Sequence, residues 1–280
     1  MLWRIKKIKD KWKAKRYAAR PILMDRYAKR PDLIVNNTVP WAPAKKALYD
    51  SRVTLVTTAG VHLKAGIPFN MLDQFGDPTF REIPNDVLPE RLTITHNYFD
   101  SKDAISDINL VLPIEPLLRL VREKIIGSIA KRSFSFMGHI SGGHVDTLLQ
   151  ESAPAMVKKL IQDKVDIVFL TPASGLCNQS VGLIQRVIED AGITTISISL
   201  NRTITLKVKP PRAIYPGFRL GHPMGRPNDI ELQGRVIKDA LQKLYTIKEP
   251  GTLLGIDYRL KKPTYTLDRH ARSWSNGVLE

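Results

Sequence analysis

The feature that most constrains the fold is an alternation of helical and strand patterns between residues 147 and 200. Residues 147–163 have helical periodicity, 165–170 are a short buried-strand run, 180–190 are again helical, and 194–199 are a second strand run. Strands that alternate with helices in this way pair in parallel. The pattern therefore predicts an α/β fold with three layers and a largely parallel sheet.

The remaining patterns extend this unit in both directions and divide the chain into three segments. An apolar run from about residue 52 ends in a tight turn at Ala59-Gly60, and residues 64–90 lack periodicity, which predicts a long ordered loop. We expect a basic N-terminal arm over 1–35, an α/β domain over 36–247 and an extended C-terminal tail over 248–280. Further elements are predicted as strands at 91–96 and 129–137 and helices at 114–123 and 231–245.

The arm is the most basic part of the chain. Residues 1–30 hold twelve lysines and arginines but two acidic residues, so they carry +10 of the formal net charge of +16. A helix over residues 2–19 would align Ile5, Ile8 and Trp12 in an apolar stripe within a cationic surround. Such a stripe packs on the body or on a partner subunit, or binds an anionic membrane surface. Nucleic acid is the least favoured partner, because no recognised binding module follows the arm.

Composition excludes several classes of protein. No run of about 18 apolar residues occurs and the N-terminus is charged, so we expect a cytoplasmic protein, with peripheral membrane association through residues 1–30 as the alternative. The single cysteine excludes an intrachain disulfide and a cysteine-rich metal centre. His139 and His144 lack a recognised ligand spacing, and the glycines form no nucleotide fingerprint. We therefore expect no metal or cofactor bound by this chain.

The cysteine lies where an α/β protein presents a nucleophile. Cys177 sits in the loop after the strand run 165–170, just before a helix whose N-terminus would lower the thiol pKa. The alternative is that Cys177 is a small buried hydrophobe. His62 and His96 end two other predicted strands and could converge on the thiol, with Asp100 fixing a tautomer; alternatively, both histidines bind loop backbone.

The segment Ala173-Ser-Gly-Leu-Cys-Asn-Gln-Ser180 and the helix that follows it resemble the redox loop and helix of a known family. That family is the selenoprotein B family of glycine, sarcosine, betaine and D-proline reductases, and its D-proline reductase members look nearest. Together the similar blocks span residues 53–244. In the same order, the other blocks are residues 55–64, 80–84, His96 with Asp100, 107–109, 136–138, 211–213 and 221–225.

The resemblance implies a redox pair within this loop. Family members carry selenocysteine at the first position of the pair and a resolving cysteine at the second. Here these positions are Ser174 and Cys177, and a serine hydroxyl forms neither a selenenyl sulfide nor a disulfide. Either Ser174 stands in for a selenocysteine of the native form, or the chain is a natural homologue that has lost the selenol.

The function implied by the resemblance is that of an oxidoreductase subunit. It would act in reductive cleavage of a C–N or related bond in a small amino-acid-like substrate. The catalytic candidates are Ser174, Cys177, His62, His96 and Asp100. Partners would be further copies or other reductase subunits, one of which carries a pyruvoyl group in some family enzymes. The alternative is a non-catalytic or thiol-only homologue whose basic arm binds a membrane surface or an acidic partner.

Overall fold

The structure of the chain is a computed structural model that describes residues 8–10, 12, 16, 33–258 and 264–267. In chain order the strands are β1 (Arg52–Thr57), β2 (Val61–Leu63), β3 (Phe80–Pro84), β4 (Leu92–Ile94), β5 (Ser128–Ile129), β6 (Arg132–Phe136), β7 (Ile167–Thr171), β8 (Thr194–Ile198), β9 (Arg212–Tyr215), β10 (Thr252–Asp257) and β11 (Thr264–Leu267). The helices are α1 (Lys102–Ser106), α2 (Ile114–Arg122), α3 (His144–Thr147), α4 (Ala153–Gln162), α5 (Cys177–Asp190), α6 (Arg202–Val208) and α7 (Ile230–Lys243). A π-helical turn, Leu148–Ser152, joins α3 to α4.

Within the described residues, nine strands form one mixed sheet. Its order is β11-β10-β9-β8-β7-β1-β6-β3, and β5 also pairs with β1. The inner strands are parallel, whereas β3 and β11 are antiparallel strands at the two edges. The predicted largely parallel sheet is confirmed. Strands β10 and β11 lie within 248–280, so the extended segment predicted there continues the sheet.

Apolar side chains cover both faces of the sheet, which gives three layers. Leu55 and the next residue, Val56, belong to separate core clusters on opposite faces, as the period of two along a strand requires. One cluster includes buried residues of α2 and α7, and the other includes residues of α4, α5 and α6. Parallel strands buried on both faces read as continuous apolar runs, which is why residues 165–170 are so recognisable.

The strand order places one position of the sheet at a topological switch point. The chain passes from β1 to its neighbour β6 and then returns to the other side of β1 to form β7. In open parallel sheets, ligands bind in the crevice outside the carboxyl ends of the strands at such a reversal. The ends of β1 and β7, at Thr57 and Thr171, therefore mark the expected site.

Three elements differ from the sequence predictions. Strand β3 lies within the predicted loop 64–90, because Phe80 packs against Phe134 and Phe136 of the neighbouring strand β6. Strand β4 forms where a strand was predicted, but it pairs with β2 in a separate two-stranded sheet. Helix α5 begins at Cys177, three residues earlier than its periodicity indicated.

Little of the basic arm belongs to the described part of the chain. Residues 8–10, 12 and 16 are helical, and the rest of the predicted helix over 2–19 lies outside the described residues. Among the described residues, no helix is long and apolar enough to cross a membrane.

Candidate functional site

The loop between β7 and α5 brings Ser174 and Cys177 together at the switch point. The loop turns sharply, and Cys177 is the first residue of α5. The side chains of Ser174 and Cys177, three residues apart in sequence, therefore face each other. The Ser174 Oγ lies 2.9 Å from the Cys177 Sγ, within hydrogen-bonding distance. Ser174 is 1% exposed and Cys177 is 0% exposed, so the pair is sealed from solvent.

The sulfur of Cys177 is surrounded by polar groups of the backbone and of the Ser174 and His96 side chains. Its thiol donates to the Thr58 carbonyl at 3.2 Å, just beyond the end of β1. Hydrogen bonds from Ser174 and from the backbone of Ala173 and Ser174 favour the thiolate. These groups converge on the sulfur because the carboxyl ends of β1 and β7 are adjacent in the sheet.

The expectation of a lowered thiol pKa is wrong for this closed arrangement. Burial raises the pKa of Cys177 above its ordinary value, because transfer of a thiolate out of water costs more than the surrounding hydrogen bonds recover. Among the described residues, no lysine or arginine hydrogen-bonds to this sulfur. Cys177 is therefore a neutral thiol until the site opens or a reaction generates its anion.

His96 is the histidine that reaches the sulfur. Its Nε2 lies 3.4 Å from the Cys177 Sγ, and its Nδ1 accepts a hydrogen bond from the Tyr98 amide at 3.0 Å. A neutral imidazole carries one ring proton, so an accepting Nδ1 leaves that proton on Nε2. Burial, reinforced by the charge of His139, lowers the pKa of His96 to about 3. His96 is thus a fixed neutral donor that faces the sulfur.

Asp100 and His62 have other partners. The Tyr98 amide, not Asp100, fixes the tautomer of His96, whereas Asp100 accepts a hydrogen bond from the Lys102 amide at 3.4 Å. His62 binds the Leu63 carbonyl and the Thr95 hydroxyl, each at 2.8 Å. Of the two histidines expected to converge on the thiol, the structure brings His96 into contact, and His62 binds the backbone and side chain of nearby strand residues.

A glycine closes the site over the sulfur. Gly138 has a φ of +74°, and a Cβ at this position would lie 2.5 Å from the Thr58 carbonyl oxygen and 2.6 Å from the Cys177 Sγ. The Ser180 hydroxyl on α5 donates to the Gly138 carbonyl at 2.7 Å and holds this loop against the helix. Both the conformation and the space at Gly138 exclude a side chain.

An aromatic pair joins the two loops that touch Cys177. The rings of Tyr98 and His139 stack with centroids 3.5 Å apart and an interplanar angle of 10°. Tyr98 also supplies the amide that orients His96, and His139 follows Gly138 in the chain. The stack therefore links the segment that carries His96 to the segment that covers the sulfur.

Sequence reasoning missed three contributors to the site. Thr58 lies at the end of the apolar run that begins at about residue 52, just before the turn at Ala59-Gly60, and its place at a strand end was the available signal. Gly138 belongs to one of the blocks that resemble the family, residues 136–138, but its proximity to Cys177 spans 39 positions and had no local signal. Asn178 binds the Ser174 and Gly175 carbonyls.

As for metals, the described residues contain no group of three or more His, Cys, Asp or Glu arranged to hold an ion.

Fold and site together define an α/β protein with a buried hydroxyl–thiol pair at the switch point of its sheet. The chain belongs to the family described as glycine/sarcosine/betaine reductase selenoprotein B, which it matches over residues 20–173. The family resemblance inferred from the redox loop is thereby confirmed. Membership places the chain among oxidoreductase components of amino-acid metabolism.

Individual relatives agree with this assignment. The chain is 36% identical over 218 residues to D-proline reductase subunit gamma of Acetoanaerobium sticklandii, which covers 78% of this chain and 88% of that protein. It is 26% identical to glycine reductase complex component B subunit gamma and 27% identical to sarcosine reductase complex component B subunit beta, both of Peptoclostridium acidaminophilum. These matches cover 77% and 76% of this chain but 50% and 49% of the two relatives. No solved structure matches the chain.

Proposed function

We propose that this chain is the chalcogen-bearing subunit of a reductase that cleaves a C–N or related bond in a small amino-acid-like substrate. The observation that carries the proposal is the 2.9 Å approach of Ser174 Oγ and Cys177 Sγ at the switch point. A purely structural cysteine would not require a matched polar atom, a carbonyl acceptor and a neutral imidazole donor around its sulfur. The 36% identity to a D-proline reductase subunit supports the same reading.

Position 174 is proposed to hold selenocysteine in the functional protein. The residues present fit that group, because the Oγ–Sγ separation of 2.9 Å needs little adjustment to reach a bond resembling a disulfide of about 2.05 Å. Selenocysteine there would supply a selenolate nucleophile and a reducible link to Cys177. Serine supplies neither, so the chain with Ser174 is expected to turn over little or no substrate.

Cys177 is proposed to act as the resolving thiol. An external dithiol would attack the atom at position 174 and break its bond to Cys177, whose sulfur would leave as a thiolate that later takes a proton. The second thiol of the reagent would then release position 174 as a selenolate, and the dithiol would end as a disulfide. The Nε2–H of His96 and the backbone of Ala173 and Ser174 stabilise the Cys177 thiolate. His96 acts as a hydrogen-bond donor and not as a base, since burial keeps its ring neutral.

The complete reaction is proposed to need a second subunit. Relatives of the chain are named as subunits or complex components, which supports assembly with other reductase subunits. A pyruvoyl group on such a partner would activate the substrate, and this chain would contribute the buried 174–177 pair. His62 and Asp100 remain proposed site residues that lie outside direct contact with the sulfur.

The codon for position 174 in the source gene and a turnover assay test the proposal together. A recoded stop codon is expected, and protein with selenocysteine at 174, assembled with its partner subunit, should reduce substrate with a dithiol donor. Ser174→Cys should be slower, and the Ser174 chain should be inactive. An ordinary serine codon, together with a selenocysteine variant that is as inactive as the Ser174 chain, would contradict the proposal.

A second candidate function is a thiol-only homologue that binds an anionic surface through its arm. The specific observation is that Ile8 and Trp12, one helical turn apart, are 68% and 62% exposed, with the Arg16 guanidinium 5.5 Å from the Trp12 ring centre. A cytoplasmic protein with this arm would associate peripherally with a membrane. Sedimentation with anionic but not neutral vesicles, lost with added salt and on deletion of residues 1–30, would support this candidate.

A further inference from the structure

The side chain of Asn178 joins the redox loop to the loop after the next strand. Asn178 is 3% exposed, and its Nδ2 donates to the Ser174 carbonyl at 3.0 Å and to the Gly175 carbonyl at 3.1 Å. Its Oδ1 accepts hydrogen bonds from the Leu200 amide at 2.7 Å and the Asn201 amide at 3.2 Å. The side chain therefore spans the carboxyl edge of the sheet from β7 to β8.

These four hydrogen bonds use the full capacity of a carboxamide, which has two N–H donors and two acceptor lone pairs. A reversed amide would point its oxygen at two carbonyls and its N–H groups at two amides. Neither aspartate nor leucine, which branch at Cγ as asparagine does, could satisfy this set, because each lacks the donors.

The anchor on the β8 side is itself rigid. Asn201 caps α6 by accepting a hydrogen bond from the Ile204 amide at 2.9 Å, and the Ser199 and Thr205 hydroxyls are 2.7 Å apart. The redox loop is thus tied to a short segment whose own backbone is fixed at both ends. Because this segment is fixed, hydrogen bonds to it hold the redox loop in one position, which hydrogen bonds to a free loop would not do.

We infer that Asn178 is a positioning residue for the 174–177 pair, an inference that rests on the proposed redox function. By binding the carbonyls of Ser174 and Gly175, Asn178 fixes the two peptide groups that follow Ser174, and with them the backbone from which the Ser174 side chain reaches the Cys177 sulfur. It touches neither reacting atom. Its role is to set the approach of position 174 to the sulfur.

The test measures the 174–177 disulfide in the Ser174→Cys protein equilibrated with oxidised and reduced dithiothreitol, in which the oxidised reagent takes two hydrogens from the thiol pair. Adding Asn178→Ala should lower the equilibrium constant for disulfide formation at least tenfold, equivalent to about 30 mV for two electrons. Adding Asn178→Ser, which retains one O–H donor, should give an intermediate loss. The matched control is Asn85→Ala, which removes another buried amide that donates to the Ala130 carbonyl.

The control separates positioning from general destabilisation. A constant for Asn178→Ala within twofold of the parent, or an equal loss for Asn85→Ala at matched stability, would overturn the inference. If Ser174→Cys forms no disulfide, the proposed function fails instead, and Asn178 is judged by the alkylation rate of Cys177 in the Ser174 chain. Asn178→Ala should then raise that rate more than tenfold and Asn85→Ala should not; equal rates would overturn the inference.

A measurement without substitution at Asn178 covers the case in which its variants fail to fold. In isotope-labelled protein, the two side-chain amide protons of Asn178 should resist exchange with solvent. This should hold both for the protein with Ser174 and for the Ser174→Cys protein. Exchange as fast as that of an exposed asparagine would show that the tie is absent and would overturn the inference.

Discussion

The two ends of helix α5 bury polar groups in opposite ways. At its first residue, Cys177 is enclosed by hydrogen-bond donors and acceptors without a cationic partner among the described residues. Near its last residue, the buried carboxylate of Glu189 lies 2.8 Å from the guanidinium of Arg212, and both side chains are at most 1% exposed. One helix thus carries a neutral reactive group at one end and a complete ion pair at the other.

The Glu189 carboxylate has hydrogen-bond partners besides Arg212 on both of its oxygens. Glu189 Oε1 also accepts from the Thr195 amide at 2.8 Å, and Oε2 accepts from the Ala42 amide. The Arg212 guanidinium stacks 3.7 Å from the centre of the Trp41 ring. The cluster fixes the segment around Ala42 to the sheet, so its role is to hold the chain in place.

The contrast teaches how the same burial serves structure or chemistry. A buried charge that is paired and hydrogen-bonded stays ionised and cannot leave its partners without a large cost. A buried thiol without a cation stays neutral, and its surrounding donors gain strength when an anion forms. The site end of α5 is therefore expected to respond to redox state, whereas the Glu189 end is expected to keep its ion pair in either redox state.

The largest effect should come from breaking the ion pair. Glu189→Gln leaves the Arg212 guanidinium buried without its counter-ion and should lower the free energy of unfolding by about 3–5 kcal/mol. Chemical denaturation measures this loss. Lys46→Gln, which removes a half-exposed ion pair with Asp166, is the control and should cost less than about 1 kcal/mol. Equal losses of unfolding free energy for the two variants would show that the buried ion pair stabilises the fold no more than the half-exposed one.

The next effect is the loss of stability expected when Gly138, which covers the sulfur at the site end of α5, is replaced by alanine. Gly138→Ala combines a positive φ with a clash against Thr58 and Cys177, and should cost about 2–4 kcal/mol. Gly217→Ala shares a φ of +70° but has no heavy atom within 4 Å of the added Cβ, so about 1 kcal/mol is expected. Chemical denaturation measures both losses. Equal losses of unfolding free energy for the two variants would show that Gly138 is not packed on the sulfur.

An effect that develops only at acidic pH tests the neutral His96. Its pKa falls from an ordinary 6.5 to about 3 on burial, so between these values the unfolded chain binds more protons than the folded one. The stability contributed by neutral His96 is present above pH 6.5 and is lost as the pH falls toward 3, by up to about 1.4 kcal/mol per pH unit. His96→Gln should flatten the pH dependence of unfolding over that range. An unchanged slope would mean that His96 is already solvated.

Much of the fold could be predicted because it depends on local periodicity. The buried run at 165–170 and the helix after it became β7 and α5, and their order placed the redox loop at the right edge of the sheet. Strand β3 could not be predicted, because Phe80 gains its partners from β6, more than fifty residues later in the chain.

The chemistry of the site was harder to predict than its position. Cys177 and Ser174 could be selected from the motif, but their burial depends on Gly138 and on the segment of His96, which are distant in sequence. The expected low thiol pKa considered only the helix N-terminus, and desolvation by these distant segments outweighs it. The tautomer of His96 depends on one backbone amide, that of Tyr98, which no pattern of side chains reveals.

The most direct test of the account is the intact mass of the Ser174→Cys protein after mild oxidation. The account predicts a monomer that has lost two hydrogens and has no alkylatable thiol, because positions 174 and 177 close a disulfide. Ser133→Cys is the matched control. Ser133 lies near the start of β6, where its buried hydroxyl donates to Asn85, so this substitution adds a buried thiol away from Cys177. Two free thiols in oxidised Ser174→Cys, counted after unfolding as in the control, would contradict the claim that positions 174 and 177 form a redox pair.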